Sequence, residues 1–246
     1  MKTFTFVLAA CAMPIITSVA AETRFESGPQ QISLVELYTS EGCSSCPPAE
    51  AWMSRLKGEP GLWKNFVPIA FHVDYWDRLG WRDRFSSPRW TERQRRYAAL
   101  WGSESVYTPA VVVGGREQGS WSSARLSQPN DKEAGVLSVS TRDGKNFSVE
   151  FRPQNGSGTE YEAHLALLGS GISTNVRAGE NSGRNLAHDF VVLDLRNGGL
   201  NSEAGTARAS LTTSAAVEPA ARKAVAVWVT RRGQLDPQQA VGGWLP

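Results

Sequence analysis

Cys43 and Cys46 are the residues of this chain with the clearest chemical signature, because only two serines separate them. They follow a strand-like stretch and precede a helical one, so we expect Cys43 at a helix N-terminus. Unpaired amide hydrogens and the helix dipole stabilise a thiolate there, which lowers the pKa of a thiol and makes it nucleophilic. Cys46, one turn further on, would then resolve the mixed disulfide that Cys43 forms. The spacing therefore predicts thiol–disulfide exchange.

Two other interpretations of this pair stay open, an inert structural disulfide and half of a zinc site. A structural zinc site needs two further cysteine or histidine ligands at suitable spacing. The histidines of the chain are His72, His164 and His188, and none of them belongs to a second paired motif. The sequence therefore predicts neither a resident metal nor a cofactor.

The chain from residue 30 to about residue 121 alternates strand-like and helix-like stretches. Strands are predicted at residues 32–38, 66–73, 110–113 and 117–121. One helix follows Cys46, with apolar residues at helical spacing up to Gly58, and a second begins with the N-cap pattern Ser87-Pro88. This order predicts a parallel pair of strands with an antiparallel addition.

Beyond a polar segment at residues 127–133 the hydrophobic period changes to two. Strands are predicted at residues 136–141, 146–152, 160–168, 188–196, 207–213 and 223–230, the first two as a hairpin. Short strands between glycine-rich and asparagine-rich turns are typical of a small β-sandwich. We therefore predict an α/β domain at residues 22–128, followed by a smaller all-β, sandwich-like domain at residues 129–246.

The first 21 residues have the pattern of an export signal that is removed. Lys2 is followed by a mostly apolar stretch at residues 4–19 and by small residues at 18–21. No later apolar segment is long enough to span a bilayer. We therefore expect a periplasmic or secreted protein without a membrane span.

The composition excludes several classes of protein. The chain has 246 residues, of which 41% are hydrophobic and 20% charged, so it is neither a disordered polymer nor a fibre. A net charge of +2 gives no electrostatic reason to expect a nucleic acid as partner.

Several motifs carry a resemblance to known families. The stretch ELYTSEGCSSC at residues 36–46 resembles the strand-to-helix entry of glutaredoxins and thioredoxins, and Thr108-Pro109 is similar to their cis-proline beside the cysteine pair. More closely, the chain resembles an uncharacterised family of bacterial secreted proteins with a thioredoxin-like fold. The motifs of this second resemblance are SEGCSSCPPA at 40–49, FHVDYWD at 71–77, LGW at 79–81, YTP at 107–109 and GEN at 179–181, with His188. It implies a thioredoxin-like α/β fold for the first domain and a redox site, and it supplies no substrate.

Glu36 and Pro109 complete the predicted catalytic set with the two cysteines. Glu36 lies in a strand that reads as buried, where an ionised carboxylate is costly unless it is paired. One interpretation makes Glu36 a proton acceptor for Cys46, as buried acids serve in thioredoxins. The other places its side chain at an edge or against a basic partner.

A loop after the second predicted strand lies at the carboxyl end of the sheet, where ligands usually bind. The residues predicted to bind substrate there are His72, Asp74, Tyr75, Trp76 and Trp81, together with Thr108. The alternatives are a hydrogen-bonded core histidine and a tryptophan cluster packed beneath the loop. His188 has no predicted role beyond the resemblance.

Four arginines mark one face of the second predicted helix: Arg89, Arg93, Arg95 and Arg96. Such a charge cluster on a helix is most often a solvated face. We therefore predict that this face is exposed.

Two functions follow from these features. The first is a thiol–disulfide oxidoreductase that acts on a thiol- or disulfide-bearing protein or small molecule and exchanges electrons with an unidentified partner. The second is a non-catalytic binding protein, either through a groove or through copper(I) held by Cys43, Cys46 and His72, since thiolates and imidazole suit that ion.

Overall fold

The computed structural model describes residues 21–120, 126, 128–154, 159–214 and 220–246. These residues form fifteen strands and two α-helices. The helices are α1 (Pro47–Arg55) and α2 (Pro88–Leu100). The strands are β1 (Thr23–Glu26), β2 (Ser33–Thr39), β3 (Phe66–His72), β4 (Ala110–Val113), β5 (Arg116–Gln118), β6 (Gly135–Thr141), β7 (Asn146–Pro153), β8 (Tyr161–Ser170), β9 (Ile172–Asn175), β10 (Asn185–His188), β11 (Val191–Gly199), β12 (Asn201–Glu203), β13 (Thr206–Thr212), β14 (Arg222–Arg231) and β15 (Pro237–Trp244). The predicted signal peptide lies, except for Ala21, outside the described residues.

Both helices begin where the sequence predicts them. Pro47 and Pro48 occupy the first turn of α1, where a missing amide hydrogen costs no helical hydrogen bond. The Ser87 hydroxyl accepts a hydrogen bond from the Arg89 amide at 3.3 Å and caps α2. Neither helix, nor any other helix in the described ranges, has the length and apolarity that crossing a membrane requires.

The predicted parallel pair of strands is confirmed. β2 and β3 run parallel, with Leu37 opposite Ala70, and β4 adds to the other edge of β2 in antiparallel orientation. Their carboxyl ends bring Thr39 and His72 to adjacent positions of the sheet. The predicted hairpin of β6 and β7 is also present.

The expected fold class, an α/β thioredoxin-like domain followed by a smaller all-β domain, is wrong. β2 to β5 belong to one eight-stranded sheet whose order is β15-β14-β8-β11-β3-β2-β4-β5. Four of its strands come from beyond residue 159, so strands from both predicted domains pair in a single sheet. A second sheet has the order β1-β6-β7-β13-β12, and β9 pairs with β10. The described residues are thus mostly β, with two α-helices.

β14 shows how the eight-stranded sheet is buried on both faces. Its alternate residues Ala224, Ala226 and Trp228 belong to the core that also contains residues of α1 and α2. The intervening Val225, Val227 and Val229 belong to the core shared with the five-stranded sheet. A strand covered on both sides is continuously apolar, which explains the run of small and branched residues in β14.

Arg93 departs from the solvated face predicted for α2. Its guanidinium is buried and donates to Glu36 from Nε at 2.7 Å and from Nη2 at 3.0 Å. Burial opposes the charge on Arg93, but the Glu36 carboxylate outweighs burial and raises the Arg93 pKa. The other three arginines, Arg89, Arg95 and Arg96, are exposed, as predicted.

Arg93→Ala is expected to lower the free energy of unfolding by about 3–5 kcal/mol, because it leaves the Glu36 carboxylate buried without its cationic partner. Urea unfolding followed by tryptophan fluorescence measures the change. Arg95→Ala removes an exposed arginine from the same helix and is the matched control, with an expected change within about 0.5 kcal/mol. Equal unfolding midpoints for the two variants would contradict the pairing argument.

Candidate functional site

Cys43 and Cys46 form a disulfide directly before α1, with their Cα atoms 5.4 Å apart. Cys46 is the N-cap of the helix, and its carbonyl accepts hydrogen bonds from the Ala49 and Glu50 amides at 3.0 and 3.1 Å. Cys43 therefore lies one turn before the helix begins. Both cysteines are buried, whereas the two serines between them are exposed.

The surroundings of Cys43 include Thr108, which the sequence predicts beside it. Cys43 Sγ lies 3.3 Å from Ser45 Oγ and 3.8 Å from the Thr108 carbonyl oxygen. The Thr108–Pro109 peptide bond is cis, which confirms the prediction made from the resemblance. Trp76 Nε1 donates to Thr108 Oγ1 at 2.7 Å, so Trp76 and Thr108 meet at the disulfide.

Gly42 allows the cysteine loop to approach Trp76 closely. A Cβ atom at residue 42 would lie 3.0 Å from Trp76 Cβ, which is tighter than ordinary van der Waals contact. A larger residue would therefore push the indole and the loop apart.

A loop from far along the chain closes over the cysteines. The buried Asn181 side chain donates from Nδ2 to the carbonyls of Glu41 and Cys43, both at 2.9 Å. Its Oδ1 accepts from Arg184 Nη1 at 2.8 Å. The neighbouring Glu180 accepts from the Ser44 amide at 3.1 Å, and hydrogen bonding to Ser44 lowers the Glu180 pKa.

Asp74 and Tyr75, both predicted to bind substrate, contact α2. Thr91 Oγ1 donates to Asp74 Oδ1 at 2.5 Å, and the Tyr75 hydroxyl donates to Gln94 Oε1 at 3.3 Å. Burial raises the pKa of Tyr75 to about 12. The structure thus connects these two residues to α2, whereas Trp76 reaches Thr108 beside the disulfide.

Glu36 lies against a basic partner, Arg93, which is the second of the two interpretations of this residue. Besides Arg93, its carboxylate accepts from the Tyr97 and Tyr38 hydroxyls at 2.7 and 3.0 Å. Glu36 and Tyr38 share one face of β2, whereas Thr39 on the other face donates to Glu50 of α1 at 2.7 Å. The buried acid on the helix that follows the cysteines is therefore Glu50.

Five buried ionisable side chains gather beside the disulfide, and we call them the buried charge cluster: Glu41, Glu50, His72, Asp83 and His188. His188 Nδ1 pairs with Glu50 Oε2, and His188 Nε2 lies 3.2 Å from Glu41 Oε1. His72 Nδ1 lies 2.6 Å from Asp83 Oδ2, and the two imidazole rings are 5.2 Å apart. His72, which the copper alternative groups with the cysteines, thus contacts Asp83 and His188.

The cluster changes the titration of its members. Burial opposes protonation of His188, but Glu41 and Glu50 outweigh it and raise the His188 pKa to about 10. Burial likewise opposes protonation of His72, and Asp83 overcomes it and raises the His72 pKa. Burial also disfavours the carboxylates of Glu50 and Asp83, yet pairing with the histidines lowers both pKa values. Within the cluster, both imidazoles therefore favour the protonated form.

The indole of Trp81 closes one side of the cluster. Trp81 Nε1 donates to Glu41 Oε2 at 2.7 Å. The Asp83 carboxylate accepts from the Glu41 and Phe85 amides, both at 2.9 Å. Trp81, predicted to bind substrate, thus contacts the buried charge cluster through Glu41.

Five residues of the site carry no role predicted from the sequence: Glu41, Glu50, Asp83, Glu180 and Asn181. Three of these, Glu41, Glu180 and Asn181, lie within the motifs that carry the family resemblance, and that position was their only signal in the sequence. Glu50 follows Ala49 of the apolar stripe of α1, and an acid beside a buried stripe was a further signal. Asp83 had no local signal, because its partner His72 lies in a different element.

The fold and the site define a mostly β protein with a buried disulfide at the start of a helix and a buried charge cluster beside the disulfide. Residues 34–230 match the family described as protein of unknown function DUF1223. Since the match covers more than half of the chain, the chain belongs to the DUF1223 family. No curated protein matches the chain in sequence.

Two solved structures share the fold. One is a protein from Agrobacterium tumefaciens that is 23% identical, with a TM-score of 0.59, and the alignment covers 89% of this chain and 96% of that one. The other is HBP35 of Porphyromonas gingivalis, 13% identical, with a TM-score of 0.58 and coverage of 89% and 76%. At these identities the similarity shows the fold alone.

Asn181→Ala is expected to lower the free energy of unfolding by about 1–3 kcal/mol, because it removes the Nδ2 donor from the Glu41 carbonyl, whereas the Cys43 carbonyl keeps the Cys46 amide at 3.2 Å. Urea unfolding of the oxidised protein measures this loss. Asn185→Ala is the matched control, since the Asn185 side chain makes its hydrogen bonds at the exposed surface. If both variants unfold at the same urea concentration, the loop over the cysteines contributes no stability through Asn181.

Proposed function

We propose that this protein is a thiol–disulfide oxidoreductase whose redox couple is the Cys43–Cys46 pair. The observation that carries the proposal is a disulfide between residues three positions apart at the start of a helix. Ser45 and Thr108 lie beside Cys43 Sγ, which makes Cys43 the sulfur with polar neighbours.

The small size of the disulfide loop argues against a purely structural role. The chain-entropy model gives about 2 kcal/mol for a loop of about four residues, compared with about 4.7 kcal/mol for a loop of 100 residues. The two hydrophobic cores of this protein are extensive without the cysteines. The pair therefore adds little stability, and reversible chemistry better explains its presence.

The proposed reaction starts from the reduced protein. The Cys43 thiolate attacks a substrate disulfide, forms a mixed disulfide, and releases one substrate sulfur as a thiolate. Cys46, after loss of its proton, attacks Cys43 Sγ and releases the second substrate sulfur. The substrate disulfide is reduced, and the Cys43–Cys46 disulfide is formed. An oxidase would run these steps in reverse.

The burial of the disulfide limits the directions from which a substrate can approach it. Both sulfurs are covered, and Ser44 and Ser45 are the exposed residues above them. We propose that a substrate approaches Cys43 beside Ser45 and Thr108, where the Trp76 indole is hydrogen-bonded to the Thr108 hydroxyl. The partners we propose remain a thiol- or disulfide-bearing protein or small molecule and a separate electron-transfer partner.

We also propose that the protein is exported to the periplasm or beyond. The support is the signal-like pattern of residues 1–21 together with the cysteine pair, because disulfides persist in oxidising compartments. Reversible chemistry at Cys43 and Cys46 would there act on other exported proteins or on small thiols.

Equilibration of the purified protein in glutathione buffers is expected to give a reversible potential between about −120 and −270 mV, the range of working oxidoreductases. A couple well below about −300 mV would identify a structural disulfide and end the proposal.

The two cysteine variants distinguish the roles of the sulfurs. Cys46→Ser is expected to accumulate a mixed disulfide with a model disulfide substrate, because the resolving thiol is absent, whereas Cys43→Ser forms none. Mass spectrometry under non-reducing conditions measures both. Equal adduct yields would contradict the assignment of Cys43 as the attacking residue.

A further inference from the structure

Three members of the buried charge cluster bring donor atoms close together. One donor atom each of Glu50, His72 and His188 lies within 4.8 Å of the other two. All three side chains are buried, and they come from α1, from the end of β3 and from the end of β10. Packing thus brings two imidazoles and a carboxylate to one point.

Each imidazole faces a carboxylate at one ring nitrogen. Asp83 lies 2.6 Å from His72 Nδ1, which leaves His72 Nε2 without this partner. Glu41 faces His188 Nε2 at 3.2 Å, which leaves Nδ1 on the side of Glu50. Histidine ligands of metals show this arrangement, in which a carboxylate fixes one nitrogen and the other binds the ion.

Glu50 is held in the same manner. Thr39 Oγ1 donates to Glu50 Oε1 at 2.7 Å, and the other oxygen, Oε2, faces His188 Nδ1. Each of the three side chains therefore has one atom beside a neighbouring polar group and a second atom that could bind an ion. The supporting groups are themselves held, since Asp83 accepts two backbone amides and Glu41 accepts the Trp81 indole.

We propose that Glu50, His72 and His188 bind one divalent first-row transition-metal ion of the zinc class. Two imidazoles and a carboxylate are a donor set that zinc uses in proteins. The site is separate from the two sulfurs, and the proposal does not depend on the oxidoreductase function.

Two buried atoms support the site independently. Glu41 Oε1 and His188 Nε2 are both buried, and neither makes a hydrogen bond of acceptable geometry. Ligation of the ion through His188 Nδ1 places the ring proton on Nε2, where it faces Glu41 Oε1. The Nε2 proton and Glu41 Oε1 would then be a donor and an acceptor 3.2 Å apart, so each would have a partner.

The charge of the cluster is also suited to a divalent ion. Three carboxylates, those of Glu41, Glu50 and Asp83, are buried together and need positive charge nearby. Two protonated imidazoles supply two positive charges, and a divalent ion bound to two neutral imidazoles supplies the same number. The ion and protons therefore compete for the two imidazoles.

The test is a Zn²⁺ titration of tag-free, oxidised protein in competition with a chromophoric chelator at pH 8. We expect one ion per chain and a rise in the unfolding temperature on binding. Glu50→Gln and His72→Gln are each expected to weaken binding at least tenfold, because each removes a ligand. Asp83→Asn leaves the three ligands in place but changes the carboxylate that contacts His72 Nδ1 and the Glu41 and Phe85 amides, and it is expected to weaken binding about 10- to 100-fold.

His164→Gln is the matched control, because His164 lies on β8 against Trp228 and Thr230, outside the cluster. Its affinity is expected to equal that of the unchanged protein. Circular dichroism establishes whether each variant is folded. If Glu50→Gln does not fold, the zinc affinities of Asp83→Asn and His72→Gln test the proposal.

Three results would overturn the proposal. One is the absence of zinc binding up to millimolar concentration in the oxidised protein. Another is binding that survives Glu50→Gln and His72→Gln unchanged. The third is binding that needs reduction of the disulfide and is lost in Cys46→Ser, which would place the ion on the cysteines. Loss of redox activity in Cys43→Ser with zinc binding retained would separate this site from the proposed function.

Discussion

The structure around the disulfide depends on one constraint, the need to compensate the charge of buried carboxylates. An ionised carboxyl group leaves water only where opposite charge and hydrogen bonds replace its hydration. Glu41 precedes Cys43 by two residues, and Glu50 follows Cys46 by four. Both reach His188, so the pairing of these three side chains fixes the two ends of the cysteine loop relative to the end of β10.

The alternation of β2 separates two buried acids that would otherwise repel each other. Glu36 points to α2, where Arg93 neutralises it, and Thr39 points to α1 and Glu50. Polar contacts thus connect α2 to one face of β2, through Glu36, and α1 to the other face, through Thr39. The cost of burying Glu36 is offset by a cation on α2, and that of Glu50 by an imidazole from β10. The two helices are consequently positioned by charge as well as by apolar packing.

Local elements were predictable, and their arrangement was not. The starts of α1 and α2 follow from Pro47 and from Ser87-Pro88, because caps and prolines act within a few residues. β15 gave no such signal, since it contains Pro237 and two consecutive glycines, which are depleted in strands. It is nevertheless buried, because its partner β14 lies next to it in the sheet. Which sheet a strand joins is decided by contacts over a hundred residues or more, so the fold class inferred from local order was wrong.

The site shows the same division between near and distant residues. Cys43, Cys46 and Thr108-Pro109 were predictable, because spacing and resemblance mark them directly. The partner of Glu36 was not, because an acid in a buried strand does not reveal which helix covers it. Nor did the sequence show that Asn181, 138 residues after Cys43, would bind the Cys43 carbonyl. The chain beyond residue 159 therefore supplies both the imidazole that pairs with Glu41 and Glu50, from β10, and the amide that holds the cysteine loop, from the loop before β10. A Cys43–Cys46 pair on the first half of the chain alone would lack these contacts, so its chemistry belongs to the whole fold.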